Sequence, residues 1–180
     1  MSPQAVSTVS VRKILSRFRR NRRGSAAVEF ALVAPVFFAL LFAIIETAIV
    51  FFAGQVLETV TQDSARMIMT GQAQTAAYTA TQFKTFVCGK IPALFTCDLV
   101  YVDVQSYPAF TSVVINNQID AGSNFINNMQ YSPGGPGDIV VVRLFYQWPL
   151  FVTGLGYNIA NLSGSQRLLV ASAAFRNEPF

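Results

Sequence analysis

At 180 residues with a net charge of +4, the chain has room for one modest globular domain beside a membrane segment. The charge is uneven, because residues 1–24 carry seven of the 13 Lys and Arg side chains and none of the nine acids. This basic tail leads directly into an apolar segment, as in a cytoplasmic flank, which argues against nucleic acid as a partner. The sequence contains no His, the commonest general base and metal ligand, so we expect a non-enzymatic protein with no cofactor and no metal.

The first predicted element is a transmembrane helix over residues 25–53. Residues 30–45 contain no polar side chain, and the apolar stretch resumes after Glu46 and Thr47. Its length fits the roughly 20 residues that a spanning helix needs and exceeds the apolar core of a cleaved secretory signal. The positive-inside rule then predicts a single pass, with the basic tail in the cytoplasm and the C-terminal part exported.

Two carboxylates lie along this predicted helix at different depths. Glu29 falls near the inner interface, and Glu46 is roughly 24 Å further along than Phe30, near the outer edge of the bilayer. A carboxylate in lipid costs free energy unless it reaches water, is protonated or finds a partner. For Glu46 the sequence leaves two interpretations open, a snorkelling or protonated side chain and a polar contact with a neighbouring helix.

Beyond the membrane the sequence predicts an amphipathic helical extension over residues 54–72 and an exported domain over residues 73–180. Apolar residues recur at helical spacing in the extension, and Gly71 is a natural stop. A weaker helical pattern follows it, and then come runs rich in β-branched residues that predict strands. These runs are residues 99–104, 111–115, 138–146 and 166–175.

Cys88 and Cys97 are the two cysteines of the chain. An exported location permits a disulfide, whereas a metal site would need more ligands than two thiols without His. We therefore predict a disulfide between them. The fold class expected from all these patterns is α+β: a long N-terminal transmembrane helix extended by an amphipathic stalk, then a small antiparallel sheet with a short helix and one disulfide.

The aromatic residues Phe145, Tyr146, Trp148 and Phe151 cluster around Pro149 at the end of a predicted strand. Such a cluster is either a binding surface or part of the core, and aromatic residues at a strand end are more often core. We therefore predict that these side chains are buried.

The most specific string is RRGSAAVEF, in which a basic tail ends in Gly24 and Glu29 follows five places later at the start of the apolar helix. In this it resembles type IV prepilin-like proteins. The wider stretch GSAAVEFALVAPVFFALLFAIIE, with DSARMIMTGQA beyond it, is similar to the TadE-like family of pseudopilins of bacterial tight-adherence pili. The segments PGDIVVVRLFYQWP and RLLVASAAFRNEPF are more loosely similar to the strands and C-terminus of such proteins.

The resemblance implies that a prepilin peptidase cleaves between Gly24 and Ser25, so that Glu29 becomes the fifth residue of the product. Glu29 could then neutralise the new amine at Ser25, in its own chain or in a neighbouring subunit. Related major pilins often carry Tyr at the position of Phe30. Phe30 keeps the aromatic ring of that residue but lacks its hydroxyl.

The function implied is that of a minor pilin-like component of a tight-adherence type IV pilus or secretion machine. Its partners would be the prepilin peptidase, pilin or pseudopilin subunits, the inner-membrane assembly platform and the lipid bilayer. The location implied is the bacterial inner membrane, with the C-terminal domain in the periplasm. The alternative is an unprocessed, single-pass membrane-anchored periplasmic binding module. An anchored hydrolase is disfavoured, because Ser and Asp are present but the sequence has no His and no recognisable catalytic spacing.

Overall fold

The computed structural model describes residues 24–91, 94–153 and 156–180. The predicted basic leader lies outside the described residues except for Gly24, its last residue. The chain forms two compact units, one ending at Phe42 and the other covering Ala43–Phe180.

The longest element is helix α1, Ser25–Met69. By length and composition, it is the one helix in the described part of the chain that could cross a membrane. Pro35 lies within α1 and does not end it. The helix continues through residues 54–69 without a break, so the prediction that the apolar helix extends into an amphipathic stalk is confirmed.

The C-terminal end of α1 is contacted by the last residues of the sequence, Glu178 and Phe180. Gly71 has a φ of +73°, a left-handed conformation that favours glycine, and the Phe180 ring occupies the space where a Cβ would lie. The backbone N–H of Glu178 donates to the carbonyl of Met69 at 2.9 Å. A one-turn helix α2, Gln72–Thr75, follows this junction.

Helix α3, Ala80–Lys90, begins with a capping box. The Gln82 N–H donates to the Thr79 hydroxyl, and the Thr79 N–H donates to the Gln82 side chain at 2.9 Å. A disulfide joins Cys88 in α3 to Cys97, with their Cα atoms 5.6 Å apart. The predicted short helix and the predicted disulfide are both confirmed.

Three strands form one antiparallel sheet in the order β1–β2–β3. Strand β1 is Val100–Tyr107, β2 is Ile139–Pro149 and β3 is Gln166–Arg176. Each corresponds to one of the predicted β-branched runs, so three of the four predicted strands are confirmed.

The prediction of a strand over residues 111–115 is wrong. Phe110–Ser112 is a 3₁₀ turn, and residues 113–115 belong to no strand. Val114 and Ile115 are exposed, so this β-branched run buries no face. A β-branched residue favours a strand chiefly through packing against neighbours on a half-buried sheet, and that packing is missing here.

One face of the sheet packs against helices α1 and α3 and forms the main core. The residues facing it from the sheet are alternate positions of each strand, as the two-residue period of a strand requires. The buried contributors include Ala53, Leu57, Val60 and Ile68 of α1, Phe83 and Val87 of α3, Val100 and Val104 of β1, Val140, Val142 and Leu144 of β2, and Leu169, Ala171 and Ala173 of β3.

The opposite face carries a buried ion pair between directly opposed residues of β1 and β2, Asp103 and Arg143. Asp103 is 1% exposed, and its Oδ2 accepts from Arg143 Nη2 at 2.8 Å and from Nε at 3.1 Å. Arg143 also donates to the Asn116 carbonyl, while the Gln130 N–H donates to Asp103. The pair thus fixes the loop between β1 and β2 onto the sheet.

We predict that Arg143→Met lowers the free energy of unfolding by about 3–5 kcal/mol, because it leaves the Asp103 charge buried without its partner. The matched control is Lys90→Met, which breaks the 3.8 Å pair with the 60%-exposed Asp63. That exposed pair should contribute less than about 1 kcal/mol. Thermal unfolding in detergent, followed by the fluorescence of Trp148, measures both. Equal effects of the two variants would contradict the structural role given to the buried pair.

We predict that replacing both Cys88 and Cys97 by Ser destabilises the second unit by roughly 2–3 kcal/mol, the chain-entropy value for closing a loop of this size. Reduction of the wild-type protein with a thiol should produce the same loss. Unfolding under oxidising and reducing conditions tests this, and the doubly substituted protein serves as the control because it should not respond to the reductant.

Candidate functional site

Residues 24–42 of the first unit form a helical segment that exposes apolar side chains on all sides. Phe30, for example, is 68% exposed. A helix that is apolar all round is suited to lipid or to packing among other apolar helices, and an exposed apolar surface of this extent is unusual for a soluble monomer. The large exposed side chains are Val28, Phe30, Leu32, Val33, Val36, Phe37, Phe38, Leu40, Leu41 and Phe42.

Gly24 and Glu29, the two residues of the implied processing motif, lie at the start of this segment. Gly24 is exposed, and a Cβ added to it would have nothing within 4 Å. Helix α1 begins at Ser25 and has no acidic residue in its first turn. Glu29 is exposed and lies roughly 6 Å along the axis from Ser25, beyond the turn in which the helix dipole favours a carboxylate most. The dipole alone is therefore a weak reason for a Glu at this position.

Glu46, the second carboxylate of the predicted transmembrane helix, is in the second unit and is only 8% exposed. Its Oε1 accepts a hydrogen bond from the Phe151 N–H at 2.5 Å, and the Val152 N–H donates to both carboxylate oxygens at 3.2 Å. The structure thus supplies a partner that neither sequence interpretation included. Backbone amides more than 100 residues away leave no signature in the sequence, so pattern reasoning could not identify them.

The aromatic cluster at the end of β2 divides into buried and exposed members. Phe145 and Tyr146 are buried, and Trp148 packs edge-on against Phe95 with ring centroids 5.9 Å apart. The prediction of a core position is confirmed for Phe145 and Tyr146, and Trp148 is partly buried against the core. It is wrong for Phe151, which is 86% exposed because it lies beyond the last residue of β2.

Asp120 has a pKa below its usual value, chiefly because the backbone N–H of Asn124 donates to its carboxylate, at 2.7 Å, and also because the Asn124 side chain does. A lowered pKa means that Asp120 supports this turn above its unfolded pKa and loses that effect as the pH falls through the folded value. Its partners are all turn residues, so its role is local structure. Within the described residues, no three His, Cys, Asp or Glu side chains converge as a metal site would require.

A match from the comparisons with known proteins covers the apolar helix and most of its extension. A family model described as TadE-like protein matches residues 24–66. No curated protein and no solved structure matches the chain. The match ends within α1, so the looser likeness of the C-terminal segments stays a prediction. Over the span from Gly24 to Arg66 the chain is similar to the TadE-like family, and the resemblance predicted from the sequence is confirmed for this segment.

Proposed function

We propose that the chain is a minor pilin-like subunit of a tight-adherence pilus, cleaved between Gly24 and Ser25 and assembled through α1. The observation that carries this proposal is a coincidence of boundaries. The family match begins at residue 24, helix α1 begins at Ser25, and the basic leader of the sequence ends at Gly24. A helix that begins where the leader ends would remain intact after cleavage.

The proposed assembly element is the apolar segment of α1 before residue 43. Before assembly, lipid would cover its exposed apolar side chains, and in a pilus the helices of neighbouring subunits would replace that lipid. Helices in lipid associate through packing and polar contacts, since moving an apolar side chain from lipid to protein gains little free energy. A polar contact in this segment would therefore be valuable for setting the register between subunits.

Glu29 is the proposed source of that contact. Cleavage creates a positively charged amine at Ser25, and a paired charge in apolar surroundings costs far less than a lone one. The carboxylate of Glu29 is close enough along the helix for the amine of its own chain and exposed enough for the amine of a neighbour. In the second case the pair would hold adjacent subunits at a fixed axial offset.

The remaining parts of the proposal concern topology and partners. We infer a single pass through the inner membrane, with the N-terminus in the cytoplasm and Ala43–Phe180 mostly in the periplasm. The Cys88–Cys97 disulfide supports an oxidising compartment for that unit. The prepilin peptidase, pilin subunits and the inner-membrane platform are the proposed partners, and the proposed role is assembly rather than catalysis.

A second candidate is an unprocessed, membrane-anchored binding module. A groove of about 580 Å³ between α1 and β3 favours it, a size typical of small-molecule sites. The groove lies within the second unit, between Thr47–Glu58 of α1 and Arg167–Val170 of β3. Leader processing distinguishes the two candidates, because a binding module needs no cleavage after Gly24.

We predict that the membrane-extracted protein begins at Ser25 when it is expressed with its own prepilin peptidase and retains residues 1–24 without it. Gly24→Val should block this processing. A side chain at residue 24 meets open space, so a loss of cleavage would reflect peptidase recognition rather than misfolding. Gly89→Val, at an equally open exposed position, is the control and should be processed normally. Mass mapping of the N-terminus measures the result, and a retained leader in the presence of the peptidase would favour the binding module.

We predict that Glu29→Gln is still processed and still enters the membrane but assembles poorly. An unpaired amine among apolar helices should cost at least about 1.4 kcal/mol, which corresponds to roughly a tenfold loss of subunit in the sheared pilus fraction. Asp63→Asn, which also removes a carboxylate from α1, is the control and should assemble normally. If the Glu29→Gln variant enters the pilus fraction in the same amount as the wild-type protein, the role given to this residue is wrong.

A further inference from the structure

The backbone after β2 is fixed to helix α1 by the Glu46 carboxylate. We call Leu150–Thr153 the clamped loop, because two consecutive N–H groups in it, those of Phe151 and Val152, donate to Glu46. Leu150 is buried in the main core, whereas the next side chain, Phe151, is 86% exposed. The loop backbone is therefore held beside α1, and it presents a large aromatic ring outward.

The surface of α1 changes character within the second unit. Up to Phe52, its exposed large side chains are apolar: Ile44, Ile45, Ile49, Phe51 and Phe52. From Gln55 onward the exposed positions are polar, including Thr59, Gln62 and Asp63. An apolar exposed band that ends in polar residues marks the boundary between hydrocarbon and water on a membrane helix.

The clamped loop lies on the lipid side of that boundary. Glu46 precedes Phe52 by six residues, or roughly 9 Å along the helix. Side chains on a helix tilt toward its N-terminus, which places the carboxylate no nearer to the polar end than its own Cα. The Phe151 N–H donates directly to this carboxylate. The backbone that carries the exposed ring is therefore at the level of the apolar band.

The chemistry around the loop is compatible with this depth. Residues 149–160 include no charged side chain. The Tyr157 hydroxyl pairs with the Thr47 hydroxyl on α1, and tyrosine is enriched where membrane proteins cross the interface. The two amide donors also satisfy Glu46, and a carboxylate is costly in lipid when it has no such partners.

We propose that the clamped loop inserts Phe151 into the bilayer leaflet next to the exported domain. The lipid contact made by α1 would then continue onto the domain itself. With a helix and a loop both in the membrane, the domain would be attached at two points and its height and tilt at the membrane surface would be restricted. This proposal goes beyond the proposed function and does not depend on cleavage at Gly24.

The test places an indole at residue 151 and measures its contact with lipid. The full chain carrying Trp148→Phe and Phe151→Trp is reconstituted in phosphatidylcholine and phosphatidylglycerol vesicles, with and without lipids brominated at shallow acyl positions. We expect bromination to remove a large part of the emission of the new indole. The control is Trp148→Phe with Phe110→Trp. Phe110 is also exposed but follows β1 at the opposite end of the sheet, roughly 33 Å away along β2, so its indole should not be quenched.

Two outcomes would overturn the proposal. The first is fluorescence from the indole at residue 151 that bromination does not change. A red-shifted emission maximum would then place the indole in water, and a blue-shifted maximum would place it against another protein subunit. Quenching that is equal at residues 110 and 151 would also contradict it, because insertion would then not be specific to the loop. Repeating the measurement at several protein-to-lipid ratios separates lipid contact, which is independent of the ratio, from contact between subunits.

A second variant tests whether Glu46 positions the ring. Glu46→Leu removes the acceptor of the two amides, so we expect quenching of the Phe151→Trp indole to fall. Glu58→Leu, a carboxylate change on α1 beyond the polar boundary, should leave it unchanged. Unaltered quenching in Glu46→Leu would show that the clamp does not place the loop. If that variant fails to fold, the Phe151→Trp measurement with Glu46 intact still decides the insertion proposal.

Discussion

The packing of α1 against the sheet is the constraint on which the rest of the second unit depends. A three-stranded sheet must bury one face to be stable, and α1 contributes more buried side chains to the core than α3 does. Packing against the sheet explains why α1 becomes amphipathic beyond residue 52, a pattern that membrane insertion alone would not require. From residue 53 onward one side of α1 carries small and medium apolar residues that are fully buried, while its other side is polar.

Three tethers then hold the less regular segments to this helix and sheet. The disulfide joins α3 to the 3₁₀ turn Cys97–Leu99, which precedes β1. The Asp103–Arg143 pair holds the β1–β2 loop, and Glu46 holds the backbone after β2. Each tether spans a long separation in sequence or crosses between elements. With a core of modest size, such links reduce the freedom of segments that bury little apolar surface of their own.

Glu29 and Glu46, the two carboxylates in the apolar part of α1, differ in their surroundings although they lie on the same helix. Glu46 is buried and is satisfied by amides of its own chain, so it contributes to the structure of the single subunit. Glu29 is exposed in a segment whose apolar residues are also exposed, which suits a role toward lipid or another subunit. The sequence separates the two by depth and by the motif around Glu29, but only the structure shows that Glu46 is buried and bonded within its own chain.

The sequence by itself determined the long apolar helix, its amphipathic extension, the stop near Gly71, three strands and the resemblance carried by the string from Gly24 to Phe30. These features follow from local patterns: unbroken apolar length, period, a left-handed glycine and a motif with fixed spacing. Only the tertiary structure decided the partner of Glu46, the exposure of Phe151 and the loss of the strand expected at residues 111–115. Each of these depends on which distant backbone or sheet edge lies nearby, and a contact between residues far apart in the chain leaves no periodic trace in the sequence.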